Sequence, residues 1–459
     1  MADMTTKASA GHAEERGHPS LAVLLVVAVI IMAGILFGYD QGVISGALDG
    51  IQKQFGLSPL LTEVVTSWVT LGALFGSLIG GELADRLGRK KAVLCAGVLF
   101  SIGAIIQSLA PETTVLVAGR LVIGLGVGVA AVAAPLYGAE MAPTAWRGRF
   151  VSAYQLAITI GIFLAYLIDQ ALASTDHWRL MLGIAAVPGI LLVAAMTFAP
   201  ESARWLVKHS RRDSALRVLD RLDPAADNQA ELASIESGLQ TEEKSASWRE
   251  VFAPTWRRPL LVALGLAVFQ QITGINAIIY YADDIFARAG FATPEAQTMA
   301  TTWAIGAVNV LATFIAIAFI DKLGRRPLLL AGLIGMALSL AVVGLAMRAD
   351  MPGTVTLGAL VVFIISFAFS LGPVVWTVIN EIFPGAIRGR AVAIATAVNW
   401  ASAFIVSEFF LSLVGLIGEA ATFWLFALFC VIAFIWIYAR VPETKGRSLE
   451  DIEQLWRKR

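Results

Sequence analysis

The stretch DRLGRKK at 85–91 returns as DKLGRRP at 321–327, and EMAPTAWRGR at 140–149 returns as EIFPGAIRGR at 381–390. A weaker echo pairs PESARWL at 200–206 with PETKGRSLE at 442–450. Each pair is offset by about 240 residues, the mark of an internal repeat covering half the chain. Every quoted segment is a charged connection next to long apolar runs, so the first half recurs in the second in the same order and orientation. The reading predicts two parallel six-helix repeats related by an axis along a membrane normal. Rocking one half against the other would open a central site to each side in turn.

Composition says what the apolar runs are. Of 459 residues, 58% are hydrophobic and 15% charged, against roughly 45–50% and about 25% in soluble proteins. Runs long enough to span a bilayer fall near 21–47, 61–83, 92–110, 114–138, 150–172, 178–199, 258–287, 299–320, 327–347, 355–383, 389–415 and 420–441. The expected architecture is an all-α membrane protein of twelve transmembrane helices. It divides into a tail at 1–20, a first half at 21–199, a helical linker at 200–257, a second half at 258–441 and a tail at 442–459. The first run has no small-residue cleavage site after it and reads as a retained span, not a signal peptide.

The 34 basic and 34 acidic residues cancel, so bulk charge points to no nucleic acid or acidic partner. Their placement is informative. Arg120 lies inside a span, and Lys53, Arg179, Arg288 and Arg348 lie in connections poor in basic residues. The other 29 basic residues lie in the alternate set of connections, together with the linker and tails. By the positive-inside rule both termini are cytoplasmic. The linker carries two amphipathic segments, with Ala215, Leu216, Val218, Leu219 and Leu222 on one and Leu232, Ile235 and Leu239 on the other. The tail repeats the pattern with Leu449, Ile452, Leu455 and Trp456, opened by Ser448 with Asp451 at capping-box spacing. Cys95 and Cys430 sit far apart within apolar runs, and the four histidines lack ligand spacing, so neither a disulfide framework nor a metal site is expected. Nor is a cofactor.

A carboxylate inside a span costs about 2.5–3.5 kcal/mol on insertion scales. Asp40 lies well inside the first run, and Arg120 in the fourth is the basic residue available to it. The bland reading of such a pair is a structural salt bridge; the default reading is functional. The seventh run presents Gln270, Gln271, Asn276 and Tyr280, which are costly unless they face a wet cavity or bond to other helices. On an unbroken helix Gln271 lies about 140° from Asn276. Local unwinding at Thr273-Gly274 brings the amides together, and amides both donate and accept, as sugar hydroxyls require. In the charged connections, Asp85, Arg86 and Arg89, with Asp321, Arg325 and Arg326 in the other half, find partners in Glu140, Arg147, Glu381 and Arg388. Such a network favours an outward-facing state by holding the cytoplasmic ends together; the alternative is that these are topology charges alone. Gly72, Gly76 and Gly80, with Gly124 and Gly128, read as close helix packing.

Over essentially its whole length the chain resembles the sugar porter family of the major facilitator superfamily. The matching motifs are GYD at 38–40, DRLGRKK at 85–91, GRLVIGLGVG at 119–128, PESARWL at 200–206 and QQITGIN at 270–276 with Tyr280 and Tyr281. They continue with DKLGRRP at 321–327, GPVVW at 372–376 and PETKGRSLE at 442–450. Ala203 stands where the family usually has Pro. The resemblance implies the major facilitator fold, and it implies that Asp40 takes up a proton while Arg120 partners it. It adds Phe37, Gln155, Asn309, Trp376, Asn399 and Trp400 to the sugar site, and Glu201, Arg204 and Glu443 to the cytoplasmic gate. It makes the expected function symport of a monosaccharide, a hexose or another, with a proton. The alternatives are a passive uniporter, against which Asp40 stands, and a non-transporting sugar sensor, against which the short tail stands. No nucleophile–base pair or metal site supports an enzyme. The expected setting is a bacterial inner membrane and the expected working unit a monomer.

Overall fold

The computed structural model describes residues 20–142, 147–173, 177–242 and 248–446. Among them, twelve segments are long and apolar enough to cross a membrane. They are Leu21–Phe55, Pro59–Leu87, Arg89–Ser108, Thr113–Met141, Ser152–Leu172, Trp178–Phe198, Pro254–Tyr280, Pro294–Phe319, Arg325–Arg348, Gly353–Glu381, Ile387–Glu408 and Glu419–Arg440. Each falls on a run read from the sequence, with differences at the ends. The first helix continues to Phe55 through the polar residues Asp49, Gln52 and Lys53 and stops where Gly56 turns left-handed (φ 60°) and donates to the Gln52 carbonyl at 2.9 Å. The seventh span ends at Tyr280, because the helix breaks again at Tyr281.

Pairing follows the repeat. In the first half the second span packs on the fourth, the first on the fifth and the third on the fourth; in the second half the ninth packs on the tenth and twelfth and the seventh on the eleventh. The halves meet along the second and eleventh spans and along the fifth and eighth. Small residues set the closest contacts. A Cβ added at Gly76 would lie 2.3 Å from the Leu125 carbonyl oxygen, and one at Gly128 2.2 Å from that of Ala73. The glycine rows thus let the second and fourth backbones touch, as their spacing predicts. A row not singled out in the sequence, Gly34, Gly38 and Gly42, does the same between the first and fifth spans. On the outside of the bundle Phe75, Leu78, Leu338 and Ile435 remain exposed, which suits a hydrocarbon solvent.

The repeat motif has a local cause. Gly88 and Gly324, the glycines of DRLGRKK and DKLGRRP, hold φ of 101° and 89° where one span turns into the next. At each, an added Cβ would meet a carboxylate, Glu201 at 2.1 Å and Glu443 at 2.9 Å. Glycine is required on both counts. The linker forms helices Ala203–Lys208, Arg212–Leu222 and Asn228–Glu242. Ala215, Val218, Leu219, Leu222 and Leu232 are buried, as their spacing implies, and Ser20 at the start of the first span donates to the Leu222 carbonyl at 3.0 Å. This end of the bundle is the linker face; the opposite end is the far face. The tail segment around Leu449 and Trp456 lies outside the described residues.

Candidate functional site

The seventh span supplies the centre. Its helix stops at Ile272, Gly274 takes φ 95°, and a new helix runs Ile275–Tyr280, the unwinding expected at Thr273-Gly274. Phe426 lies where a Gly274 Cβ would stand, at 2.7 Å. The two amides before the break cluster with Asn399 of the eleventh span. Gln270 Nε2 donates to the carbonyl of Leu371 at 2.8 Å, and Gln270 Oε1 accepts from Asn399 Nδ2 at 2.7 Å. Gln271 Nε2 donates to Asn399 Oδ1 at 3.2 Å, leaving Gln271 Oε1 buried without a partner. An orphaned buried acceptor is costly, and a hydroxyl brought into the site would satisfy it. Asn276, Tyr280, Asn309 and Trp400 are also buried, while Phe37, Gln155 and Trp376 are half-buried.

The first span binds this cluster to a charge pair. Asp40 and Arg120 are 2% and 0% exposed, and Arg120 Nη1 donates to Asp40 Oδ1 at 2.9 Å. Two further guanidinium donors are held by the second span, Nε by the Val65 carbonyl at 3.0 Å and Nη2 by that of Thr66 at 3.1 Å. Arg120 is thus tied to the second span by two bonds and to the first by Asp40. The neighbouring Gln41 donates across the halves to the Tyr280 hydroxyl at 3.5 Å, and Phe37, one turn earlier, packs on Trp400 with ring centroids 5.4 Å apart. Gln41 was not picked out from the sequence, although its place beside Asp40 was a signal.

The motif charges form two matching clusters, one in each half. In the first, Arg89 bonds Glu140 through Nε and Nη2, each at 2.9 Å, and Asp85 through Nη1 at 2.9 Å; Ser202 donates to Glu140. In the second, Arg325 pairs with Glu381 at 2.9 Å, and Thr444 donates to Glu381 at 2.6 Å. Glu201 accepts from the Lys90 backbone at 3.1 Å, and Glu443 accepts from the backbones of Arg325 and Arg326, each at 3.0 Å. Burial raises the Glu201 carboxyl above its usual range despite these bonds. For Glu443 burial acts the same way, but the backbone N–H groups of Lys445, Arg325, Arg326 and Thr444 outweigh it and hold the carboxyl low. Arg86 pairs instead with Glu82 on its own exposed helix face, Arg326 donates to the Tyr438 carbonyl, and Arg388 donates to that of Phe383 at 3.1 Å. Arg204 is half-buried in the first linker helix. The side chains of Arg147 and Asp321 lie outside the described residues. These pairs join residues of the same half, where the sequence reading had them hold the two halves together.

Contacts between halves gather at the far face. Glu63 Oε1 accepts from the Ser412 backbone and Oε2 from its hydroxyl, both at 2.6 Å, and Ser67 donates to Glu408. The Tyr166 hydroxyl donates to the Ile279 carbonyl at 2.9 Å, and the Thr302 hydroxyl to that of Tyr166 at 2.9 Å. Thr62, Glu63, Thr66, Ser67 and Thr70 are all 0% exposed. The linker-side stretches around Gln155, Thr377 and Ile394 keep partial exposure. The far face is thus closed along the Glu63–Ser412 and Ser67–Glu408 seam, outside which lies a vestibule of about 1240 Å³ lined in part by Thr62, Asp283 and Ser412, and the linker face has no such seam among the described residues. No feature of the sequence marked the Glu63 and Glu408 contacts.

Known proteins bear on this geometry. The model of a family described as sugar (and other) transporters matches residues 26–456. The galactose-proton symporter of Escherichia coli (strain K12) is 40% identical over 449 residues, 96% of each chain. The putative metabolite transport protein YwtG of Bacillus subtilis (strain 168) is 42% identical over 428 residues, 92% of this chain and 93% of its own. Among solved structures, the major facilitator proton:xylose symporter XylE bound to 6-bromo-6-deoxy-D-glucose superposes with a TM-score of 0.81 at 31% identity, covering 95% of this chain and 99% of that one.

Proposed function

The chain belongs to the sugar (and other) transporter family, a family of membrane transporters and not of enzymes, and from that premise we propose that it carries a monosaccharide together with a proton by alternating access. The observation that carries the reading is the first span. Within two turns it places Phe37 on Trp400, Asp40 on Arg120 and Gln41 on Tyr280. The proton-accepting carboxylate and the sugar cavity therefore share one helix. The relatives named as galactose-proton and xylose symporters support the same pairing of cargo and ion.

Sugar enters among Gln155, Gln270, Gln271, Asn276, Asn309 and Asn399, which supply donors and acceptors together, while Trp376 and Trp400 offer flat faces to the C–H side of the ring. Pairing with a guanidinium favours an ionised carboxylate, and separation within a dry site favours the protonated form. A proton on Asp40 frees it from Arg120, and the first span shifts against the seventh. The far face then closes over sugar and proton, the linker face parts, and both leave. The excess of basic residues on the linker face makes that face, with both termini, cytoplasmic, so the conformation described here faces inward. The two motif clusters would meet and hold the linker face shut in the opposite state. One chain holds the whole site, so the working unit is a monomer.

Sugar uptake into proteoliposomes with an imposed pH gradient tests the reading. Asp40→Asn abolishes gradient-driven accumulation while sugar exchange continues. Concentration of sugar by that variant, to the parent's level, excludes coupling through Asp40.

A further inference from the structure

Two carboxylates from different halves lie at the far face, apart from Asp40. Asp169, in the fifth span, is 1% exposed. Its Oδ2 accepts from the Gly46 backbone at 3.3 Å, and its Oδ1 is buried with no hydrogen-bond partner. Asp283, just beyond the seventh span, is 8% exposed; its backbone donates to Ser45 at 3.1 Å and its Oδ1 accepts from the Thr301 hydroxyl. Ser45 and Gly46 are neighbours on the first span, so one short stretch of helix holds the Asp169 carboxylate and the Asp283 backbone, and Asp169 lies within the field of Asp283. Beside them is a cavity of about 40 Å³ lined in part by Ser45, Gly46, Asp283 and Thr298.

The surrounding charges do not neutralise the pair. Tyr166 faces it from the fifth span, Tyr39 faces Asp169 from the first, where Asp49 and Lys53 also lie, and Asp284 and Arg288 follow Asp283 on its own helix. Lys53 pairs with Asp49 at 2.5 Å, and Arg288 pairs with Asp284 at 2.8 Å and Glu419 at 2.9 Å. Arg348 and Asp350 line, with Asp283 itself, the vestibule of about 1240 Å³ at the far face. Neighbouring buried carboxylates without a cation are accommodated when one of them holds a proton. Parting the halves at this face wets both groups and removes that need.

We propose that Asp169 and Asp283 form a second proton-binding site, distinct from Asp40, and that the far face closes only when this pair holds a proton. The proton comes from the water at the far face and returns there on opening; only an O–H bond is made and broken. Burial pushes the Asp283 carboxyl up to about 7, against the hydrogen bond from Thr301 and with Asp284 adding to the rise. In the open state an exposed aspartate returns to about 4. The closed state binds the proton more tightly, so closure is favoured at low pH and lost as pH rises through about 7. From pH 5 to pH 8 the closed-to-open ratio falls by up to roughly a hundredfold.

The inference rests on the alternating-access reading but not on Asp40, and the test separates the two. Spin labels at Leu60→Cys and Leu416→Cys, exposed far-face sites in different halves (59% and 81% exposed), report closure as a short-distance population. Cys95 and Cys430 are replaced by serine, and the full chain is examined in lipid from pH 5 to 8. The short-distance population should fall with rising pH in the parent and in Asp40→Asn, whereas Asp283→Asn should lose the midpoint near 7 and stay closed throughout. A parent-like pH profile in Asp283→Asn overturns the proposal. So does its disappearance in Asp40→Asn, which would assign the titration to the Asp40–Arg120 pair and leave the transport reading standing. If Asp283→Asn does not assemble, a closed population in the parent that does not change with pH overturns it equally.

Discussion

Removing the Glu63 side chain should open the far face. Glu63 holds Ser412 through two hydrogen bonds of 2.6 Å, one to a backbone N–H in the first turn of helix Phe410–Ile417 and one to the hydroxyl. Bonds to a charged acceptor contribute about 1.5 kcal/mol each at the low end, and the helix N-terminus favours the carboxylate further. These contacts exist only when the second span of one half meets the eleventh span and its extension in the other. Their loss therefore acts on the conformational equilibrium directly. Glu63→Ala should lower the closed-to-open ratio by about 3 kcal/mol, roughly a hundredfold. Ser412→Ala, which keeps the backbone bond, should lower it by roughly tenfold. The spin-label pair at Leu60→Cys and Leu416→Cys reads both shifts, at a pH where short and long distances coexist. Adding Ser412→Ala to Glu63→Ala should change the ratio little further, since the hydroxyl has already lost its acceptor. A Glu63→Ala ratio within threefold of the parent, or full additivity of the two substitutions, would refute the idea that this contact holds the face shut.

Other expectations follow from the same geometry. Gly88→Ala places a Cβ 2.1 Å from Glu201 at φ 101° and should destabilise the purified protein by about 1–3 kcal/mol, read as a lower Tm; an unchanged Tm argues against that packing. Trp400→Ala removes the partner of Phe37 and a face for the sugar ring, raising KM by roughly tenfold, with a smaller effect on exchange at saturation. Glu443, held low by backbone N–H groups, stabilises the fold above its ordinary range and ceases to as pH falls through its lowered value. The Tm gap between the parent and Glu443→Gln should therefore be largest near neutrality and narrow towards pH 3; a gap that widens there contradicts the assignment.

Much of the architecture was legible because hydrocarbon enforces it. Twenty apolar residues in a row have few alternatives to a spanning helix, and a broken pattern of amides around Thr273-Gly274 has few alternatives to a bend. Asp40 and Arg120 were found by cost, since a lone charge at that depth needs a partner. Glu63, Glu408, Asp169 and Asp283 lie near helix ends, where a carboxylate reaches water cheaply and sequence does not separate a solvated rim from a buried seam. Their partners come from remote segments, as with Glu63 and Ser412, 349 residues apart, and no local pattern encodes that pairing. Arg86 illustrates the converse. It belongs to a gate motif by sequence, yet helical geometry gives it Glu82 one turn away.

The glycine contact between the second and fourth spans has a mechanical consequence. Backbones that touch at Gly76 and Gly128 leave no soft layer of side chains to absorb a twist, so the second span moves with its neighbour as a stiff lever. Its 29 residues make it about 43 Å long, with Glu63 near one tip, Asp85 near the other, and Arg120 gripping Val65 and Thr66 toward the Glu63 end. A tilt of about 10° about its midpoint swings each tip by about 4 Å in opposite directions, farther than a hydrogen bond can stretch. One small displacement near Arg120 thus pulls Glu63 away from Ser412 while driving Asp85 toward the other half. The two faces are the two arms of a balance and cannot both be open.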